Sequence, residues 1–208
     1  RELEADRANL SLSGNYKPKL VENYESLLQR ARPRCLWPTR MFYYDYALGW
    51  YLTDQRQFDR AQRVLGGRIA PYCPHMLRLR LLLGRCAMRT GDLQSAYRQF
   101  REHIRRNPYD IEGYQWLANL NPEHAAALLE AHVYEKNDFK DVEKVWELIS
   151  LYIACGKDQK ARQLVERTAK ELDETPSDIL LPYARSLGKA EEQKWKLRAL
   201  RRAFPNEL

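Results

Sequence analysis

The chain has 208 residues and a net charge of +7, with 44% hydrophobic and 30% charged side chains. This composition predicts a folded, soluble protein and excludes wholesale disorder. It also excludes a membrane-spanning helix, because apolar runs such as Leu81–Leu83 fall far short of the roughly 20 residues that a span requires. The sequence begins at Arg1 with neither a methionine nor an apolar signal core, so we expect it to be a piece of a longer protein.

The positive charge is concentrated in the middle of the sequence. Residues 36–108 contain 13 basic and 5 acidic side chains, and every one of the 13 is an arginine. Residues 1–35 contain 7 basic and 5 acidic side chains, and residues 109–208 contain 15 and 18. Arginine without lysine favours planar, two-point contacts to carboxylates or phosphates. This asymmetry predicts an acidic partner.

The first predicted elements are a degenerate helix pair within residues 1–41. One helix is predicted over residues 3–12 and another over 18–31, with a glycine-containing turn between them and a loop ending at Pro38. Hydrophobic residues recur every three to four positions through the whole chain, and runs of alternating β-branched residues are nearly absent. An all-α fold is therefore predicted.

The next predicted pair starts near Phe42. Its first helix contains Gly49, and its turn is formed by residues 54–56, where glycine is absent. The apolar positions expected to pack within this pair are Leu48, Phe58, Ala61 and Leu65.

The clearest unit covers residues 77–110. Gly84 and Ala96 are small where two paired helices would approach closely, and Gly91 can adopt the positive φ of a tight turn. Pro108 would stop the second helix of the unit. The pattern recurs along the chain, with units predicted to start near residues 42, 77, 111, 142 and 174. The unit over residues 111–141 is shortened, and its predicted second helix, from Glu123 to about Tyr134, is rich in alanine and leucine.

The unit over residues 77–110 resembles the tetratricopeptide repeat (TPR). The residues at that family's small and large signature positions are Leu83, Gly84, Gly91, Ala96, Phe100 and Pro108. The resemblance implies an α-solenoid of about five to six antiparallel helix pairs, a TPR-like superhelix forming a single domain over residues 1–208. Divergent helical repeats of a related type, such as the half-a-TPR class, are the alternative for the other units.

A partner-binding groove follows from this architecture. The first helix of each stacked pair lines the concave side, where inward positions recur every three to four residues. The predicted groove residues are Tyr43, Tyr46, Trp50, Arg78, Leu81, Arg85, Arg89 and Trp146. An aromatic wall beside an arginine-bearing wall would suit a peptide with apolar and acidic side chains.

Two observations limit this groove prediction. The tyrosines and Trp50 have an alternative interpretation as core between repeats, because residues 41–52 are apolar almost all round. Some TPR domains bind chaperone C-terminal carboxylates through Lys and Asn at set groove positions. That binding is not expected here, because the corresponding residues are Tyr46, Trp50, Leu81 and Arg85.

Arginines also recur about one turn apart on two predicted second helices, whose outer faces would form the convex surface. This basic face comprises Arg56, Arg60 and Arg63 on one helix and Arg98, Arg101, Arg105 and Arg106 on the other. One interpretation is an ordinary solvated helix face. The other is docking onto an acidic protein or a nucleic-acid backbone, without base-specific reading, since no recognition motif is present.

The sequence contains no pattern typical of an active site. Phosphate-binding loops, zinc-binding HExxH and nucleophile elbows are absent, and the four histidines are scattered. The four cysteines lack zinc spacing and are predicted to be reduced, buried thiols of an intracellular protein, cytoplasmic or nuclear. We therefore predict a non-enzymatic protein with no catalytic residue, metal, cofactor or small-molecule substrate.

The favoured function is a protein–protein interaction scaffold or adaptor within a multiprotein assembly. It would bind an acidic or mixed acidic and apolar segment of a protein partner. The alternative is a nucleic-acid-associated subunit of a transcription or RNA-processing complex that uses the arginine-rich face.

Overall fold

The computed structural model of the protein describes residue 26 and residues 38–76, 78–136, 139–189 and 193–208. Within these ranges the chain forms ten α-helices and no β-strand, so the all-α prediction is confirmed for them. The helices are α1 (Pro38–Asp54), α2 (Phe58–Val64), α3 (Leu79–Arg89), α4 (Leu93–Arg106), α5 (Ile111–Ala118), α6 (Pro122–Glu135), α7 (Val142–Ala154), α8 (Asp158–Leu172), α9 (Pro176–Lys189) and α10 (Lys194–Ala203).

The predicted N-terminal helix pair lies outside the described residues. The later repeat starts, predicted near residues 42, 77, 111, 142 and 174, fall at or near the first residues of α1, α3, α5, α7 and α9. None of the helices in the described part of the chain is both long enough and apolar enough to cross a lipid bilayer.

The chain divides into two compact units, Arg1–Asp92 and Leu93–Leu208, where the sequence predicts one domain. Helices α1 to α3 belong to the first unit and α4 to α10 to the second. Within each unit, helices that are neighbours in the chain pack against one another. The division falls inside the unit predicted over residues 77–110.

The core of the first unit is formed by apolar side chains of α1, α2, α3 and the segment after α2. The fully buried members include Leu52, Ala61, Leu65, Ile69, Leu79 and Cys86. Gly49 lets α1 approach the Leu65 side chain closely, because a Cβ atom added at Gly49 would lie 2.3 Å from Cδ2 of Leu65. The absence of a side chain at this position is therefore required by the packing.

A π-helical segment, Leu65–Ile69, follows α2 directly. The N–H of Ala70 donates to the carbonyl of Leu65 at 2.9 Å, five residues earlier instead of the four of an α-helix. Leu65 and Ile69 are both buried, while Gly66 and Gly67 lie between them. The 3.6-residue periodicity does not predict this segment.

Four helices, α1, α3, α7 and α8, end in a Schellman turn. In each turn an N–H donates to the carbonyl five residues earlier, at 2.8–2.9 Å: Gln57 to Leu52, Asp92 to Ala87, Lys157 to Tyr152 and Glu174 to Ala169. The residue before each donor adopts a left-handed conformation: Arg56 (φ 59°), Gly91 (φ 88°), Gly156 (φ 69°) and Asp173 (φ 56°). The predicted positive φ at Gly91 is confirmed.

Arg56 was predicted both in the turn of residues 54–56 and on the same helix as Arg60 and Arg63. The turn placement is confirmed and the helix placement is wrong, because α2 begins at Phe58. The Schellman turn requires a left-handed residue here, a conformation that costs a residue with a Cβ atom about 1–2 kcal/mol. The chain therefore uses an arginine where the turns after α3 and α7 use glycine.

The second unit is organised by three short polar side chains that cap helix N-termini. The side chain of Asp110 accepts a hydrogen bond from the N–H of Glu112 in α5. The Asn121 side chain accepts one from the N–H of His124 in α6, and the Asp141 side chain accepts one from the N–H of Lys144 in α7. All three distances are 2.9–3.3 Å.

The buried core of this unit includes Phe100, Tyr114, Leu117, Leu129, Leu148, Tyr152, Leu164 and Leu180.

Candidate partner-binding surface

Tyr46 and Trp50 lie one turn apart on α1 and pack edge to face, with ring centroids 6.0 Å apart. Both side chains are half-buried and pack against the core of the first unit. Part of each ring therefore stabilises the core, and the remaining part is open to solvent.

Arg78 joins this pair from the start of α3. Its guanidinium carbon lies 5.7 Å from the centroid of the Trp50 ring, a cation–π geometry. Arg78 is the N-cap residue of α3 and has a φ of 63°, so its left-handed backbone orients the side chain. The structure thus brings together three predicted groove residues, which we name the Tyr46–Trp50–Arg78 cluster.

The cluster keeps Tyr46 protonated over the whole physiological pH range. Burial raises the pKa of the Tyr46 hydroxyl to about 12, and the positive charge of Arg78 offsets part of that rise. Tyr46 is therefore an uncharged hydrogen-bond donor beside a permanent cation. This combination of donor, cation and aromatic surface suits a carboxylate flanked by apolar groups.

The remaining groove residues of the first unit have different surroundings. The Tyr43 side chain is 68% exposed, and Arg89 is also exposed. Arg85 donates to the carboxylate of Asp54 at 3.5 Å. Leu81 is only 1% exposed, so its side chain belongs to the core and cannot line an open groove.

Trp146 belongs to the second unit and connects α7 to α9. Its indole N–H donates to the carbonyl of Ile179 at 2.9 Å, and its ring stacks on Tyr183 with centroids 5.3 Å apart. The Tyr183 hydroxyl also bonds Ser150. Trp146 therefore has a role in packing within its own unit.

The arginines of α2 are exposed and make local contacts. Arg60 donates to the side chain of Gln57, and Arg63 donates to the carbonyl of Asp59 at 3.4 Å. Both contacts lie within α2 and its N-cap, so they do not connect either arginine to another element.

The arginines of α4 divide into two groups. Arg105 makes a two-point contact with Glu102, with both N–H···O distances at 2.8 Å, and Arg106 bonds the same carboxylate. The bonds from Arg105 and then Arg106 lower the pKa of Glu102 to about 2. Arg98 and Arg101 are exposed on the same helix, and Arg101 lies 6.0 Å from the ring centroid of Tyr97. Glu102 therefore neutralises part of the positive charge of the α4 arginines.

A second basic face lies on α10, where the sequence patterns did not indicate one. Five of the ten residues of this helix are cationic and none is acidic. Counting charge over the whole of residues 109–208 concealed it, because acidic residues elsewhere in that range outnumber the basic ones. A nine-residue window would have detected it.

Neither the cysteines nor the other metal-ligating residues form a site in the described part of the chain. No group of three or more His, Cys, Asp or Glu side chains there could hold a metal ion. Cys73, Cys86 and Cys155 are free thiols, and burial raises the pKa of Cys86. Cys35 lies outside the described residues.

Two histidines, His103 and His124, have packing roles. His103 is buried and bonds Asp110 at 3.0 Å, while Nδ1 of His124 lies 2.7 Å from the Tyr97 hydroxyl. Both contacts connect neighbouring elements of the second unit, which is a structural role.

No protein-family model matches this chain, and no curated protein matches it significantly. The all-helical fold and the geometry of these surfaces are therefore the basis on which a function can be inferred.

Proposed function

We propose that the chain is a TPR-like helical repeat protein, built as an α-solenoid of antiparallel helix pairs, and that it acts as a non-enzymatic interaction scaffold. Three of the four Schellman turns, those after α1, α3 and α7, support this proposal, because each connects the first helix of a predicted repeat to its second helix, while the fourth lies between two predicted repeats. The match between predicted repeat starts and helix starts supports it further. The protein would act in the cytoplasm or nucleus as a subunit of a larger assembly.

The observation that carries the proposed function is the Tyr46–Trp50–Arg78 cluster. A guanidinium over a half-exposed indole, next to an uncharged tyrosine hydroxyl, offers one charged and two aromatic contacts within a small area. Trp, Tyr and Arg are the residues that most often dominate binding energy at protein interfaces. The proposed partner segment carries a carboxylate beside an apolar side chain.

Conservative variants test this surface. Replacing Tyr46 and Trp50 by alanine would remove core contacts as well as partner contacts, since both rings pack on the core. Trp50→Leu keeps an apolar group on the core but removes the indole face, and Arg78→Gly removes the cation while suiting the left-handed backbone. We expect both variants to keep their helicity and to lose the same set of co-purifying proteins.

Quantitative affinity purification of the full chain with mass spectrometry measures that loss. Tyr109→Ser is the control, because it removes an exposed aromatic ring from the second unit. Proteins lost with Trp50→Leu and Arg78→Gly but retained with Tyr109→Ser would support the proposal. Identical protein sets from all variants would contradict it.

A nucleic-acid-associated role is the second candidate, favoured by the exposed Arg98 and Arg101 on α4. Phosphate contacts predict an affinity that falls steeply between low and physiological salt. Retention on a heparin column that decreases in the variant Arg98→Gln/Arg101→Gln would support this candidate. Binding through about ten phosphate contacts is retained at 50 mM salt. If the wild-type chain does not bind heparin at that salt concentration, this candidate is excluded.

A further inference from the structure

Helix α10 presents a cationic face that the proposed function does not use. Its exposed side chains are Lys194, Trp195, Arg198, Arg201 and Arg202. Trp195 is 57% exposed, and every other exposed side chain of the helix is positively charged. Trp195 therefore presents an open aromatic ring among the cations of this helix face.

The cations form an ordered row. Lys194, Arg198 and Arg202 are four residues apart, so they follow one side of the helix at intervals of about 6 Å along its axis. Arg198 and Arg202 form no ion pair with a carboxylate in the described part of the chain. Trp195 lies beside the row, with the ammonium group of Lys196 5.9 Å from its ring centroid. Glu191 and Glu192 precede the helix in the sequence and lie outside the described residues.

The apolar side of α10 is already occupied. Leu200 and Ala203 are buried, and the helix packs against α9 and α7. The guanidinium of Arg162 donates to the carbonyl of Ala203 at 2.9 Å and so satisfies the C-terminal end. A helix that binds a membrane surface inserts its apolar side. Because that side of α10 is used within the unit, only the cationic face is available.

We propose that the exposed face of α10 binds single-stranded nucleic acid. Arg198 and Arg202 contact the phosphate backbone, and Trp195 stacks on a base. Cations that follow the backbone together with an aromatic stacking platform are the two components by which proteins bind single strands without sequence preference. An acidic peptide offers carboxylates to the cations, but only a nucleic acid offers a planar ring at every residue for Trp195 to stack on.

The test measures fluorescence anisotropy of labelled 20-nucleotide oligo(U) and oligo(dT) with the full chain between 50 and 200 mM KCl. Arg198→Gln/Arg202→Gln is expected to weaken binding and to reduce the magnitude of the log–log salt slope by about 1.4, the value for two single-strand phosphate contacts. Trp195→Ala is expected to weaken binding about 5- to 150-fold with an unchanged salt slope. Trp195→Phe should recover most of that loss.

A matched variant, Lys157→Gln/Lys170→Gln, removes the same charge from exposed positions before and on α8, outside every proposed binding surface. If it weakens binding as much as Arg198→Gln/Arg202→Gln does, the attraction is to net charge alone and the proposal is overturned. Unchanged oligonucleotide affinity in Trp195→Ala also overturns it, as does equally tight, Trp195-independent binding of poly-glutamate. Because all these side chains are exposed, thermal unfolding by circular dichroism should be unaltered. The outcome does not depend on the Tyr46–Trp50–Arg78 cluster, so the two proposals fail separately.

Discussion

At Arg56 the chain holds a β-carbon-bearing residue in a conformation that glycine adopts freely. The turns after α1, α3 and α7 share their hydrogen bonds, yet only the first lacks glycine. Arg56→Gly is therefore expected to raise the free energy of unfolding by about 0.5–1 kcal/mol, the left-handed penalty less the added entropy of the unfolded chain. Urea denaturation followed by circular dichroism measures this change.

Arg60→Gly is the control for that prediction, because it removes the same side chain four residues later inside α2. There glycine lowers helix stability by about 0.8 kcal/mol relative to good helix formers. The two variants should shift the urea midpoint in opposite directions. A loss of stability in Arg56→Gly would mean that side-chain contacts of Arg56 outweigh its backbone conformation.

Glu102 provides a prediction about pH. Hydrogen bonds from Arg105 and Arg106 lower its pKa to about 2 in the folded protein, below the value of about 4.3 in an unfolded chain. A carboxyl whose folded pKa is lower stabilises the fold fully above the unfolded value and loses that contribution as the pH falls through the folded value. Glu102→Gln should therefore cost about 0.5–1 kcal/mol at pH 7, as for a solvent-screened pair, and progressively less as the pH falls through about 2.

Carbon-detected NMR titration of the Glu102 carboxyl measures the same effect directly. Arg105→Gln should move the midpoint upward toward the ordinary glutamate range. Arg101→Gln, which removes a neighbouring arginine that does not bond Glu102, should change it far less. Equal shifts in both variants would show that general positive charge, not the hydrogen bonds, sets the Glu102 pKa.

The roles of single residues were only partly predictable from sequence. Gly91 was identified because glycine itself marks a left-handed turn, whereas Arg56 carries no such mark and was placed on the helix by its spacing. Leu81 was placed in the groove by periodicity, but α3 is buried around most of its circumference, so one face cannot be told from another. Periodicity identifies a binding face only when the opposite face is polar.

Among elements, the close approach of α1 to the π-helical segment gives a prediction about Gly49. Gly49→Ala places a Cβ atom 2.3 Å from Cδ2 and 2.5 Å from Cγ of Leu65, so the Leu65 side chain must move within a packed core. Such overpacking typically costs about 1–3 kcal/mol, more than the gain of about 1 kcal/mol in helix propensity. We expect a net loss of stability in urea denaturation.

Gly188→Ala is the matched control, since Gly188 lies within α9 and its added Cβ would meet only Leu197, at an ordinary 3.8 Å. Helix propensity then acts alone, and stability should rise by up to about 1 kcal/mol. If Gly49→Ala also stabilised the protein, α1 would have room to shift and the packing assigned to Gly49 would be incorrect.

Element boundaries were largely predictable where the sequence contains capping or breaking residues. The second helix of the shortened unit was predicted from Glu123 to about Tyr134 and is observed as Pro122–Glu135, because Asn121 and Pro122 are strong start signals. The π-helical segment was not predictable, since its extra residue changes the hydrogen-bond pattern without changing which residue types are present.

At the scale of the whole molecule, the division into two units predicts where a core mutation is felt. Leu52 and Leu148 are each almost fully buried, in the first and second unit respectively. Truncating either leucine to alanine should cost about 2–5 kcal/mol of stability. Contacts are lost in the unit that holds the mutation, so opening should become easier there first.

Hydrogen exchange with mass spectrometry resolves the two units. Leu52→Ala should increase exchange most in peptides from residues 43–76, and Leu148→Ala most in peptides from residues 142–172. Each variant serves as the control for the other. A uniform increase across both regions in either variant would indicate that the chain opens as one cooperative body.

The all-α class was predictable because helical periodicity is a property of every segment of the chain. The division near Asp92 was not, since it depends on contacts between helices and not on the pattern inside any one of them. The basic face of α10 was partly predictable. Its residues were visible in the sequence, but averaging charge over a hundred residues removed the local signal.

The π-helical segment after α2 makes this part of the chain tolerant of a change in length. Gly67 is exposed, and nothing lies within 4 Å of a side-chain carbon added there. Deleting Gly67 would place Leu65 and Ala70 four residues apart, so the hydrogen bond between them would close an ordinary α-helical turn, and the residues after it would keep their orientation. Ile69 would therefore stay buried. An in-frame loss of one codon is tolerated here, whereas inside α2 it would rotate the rest of the helix by about 100°.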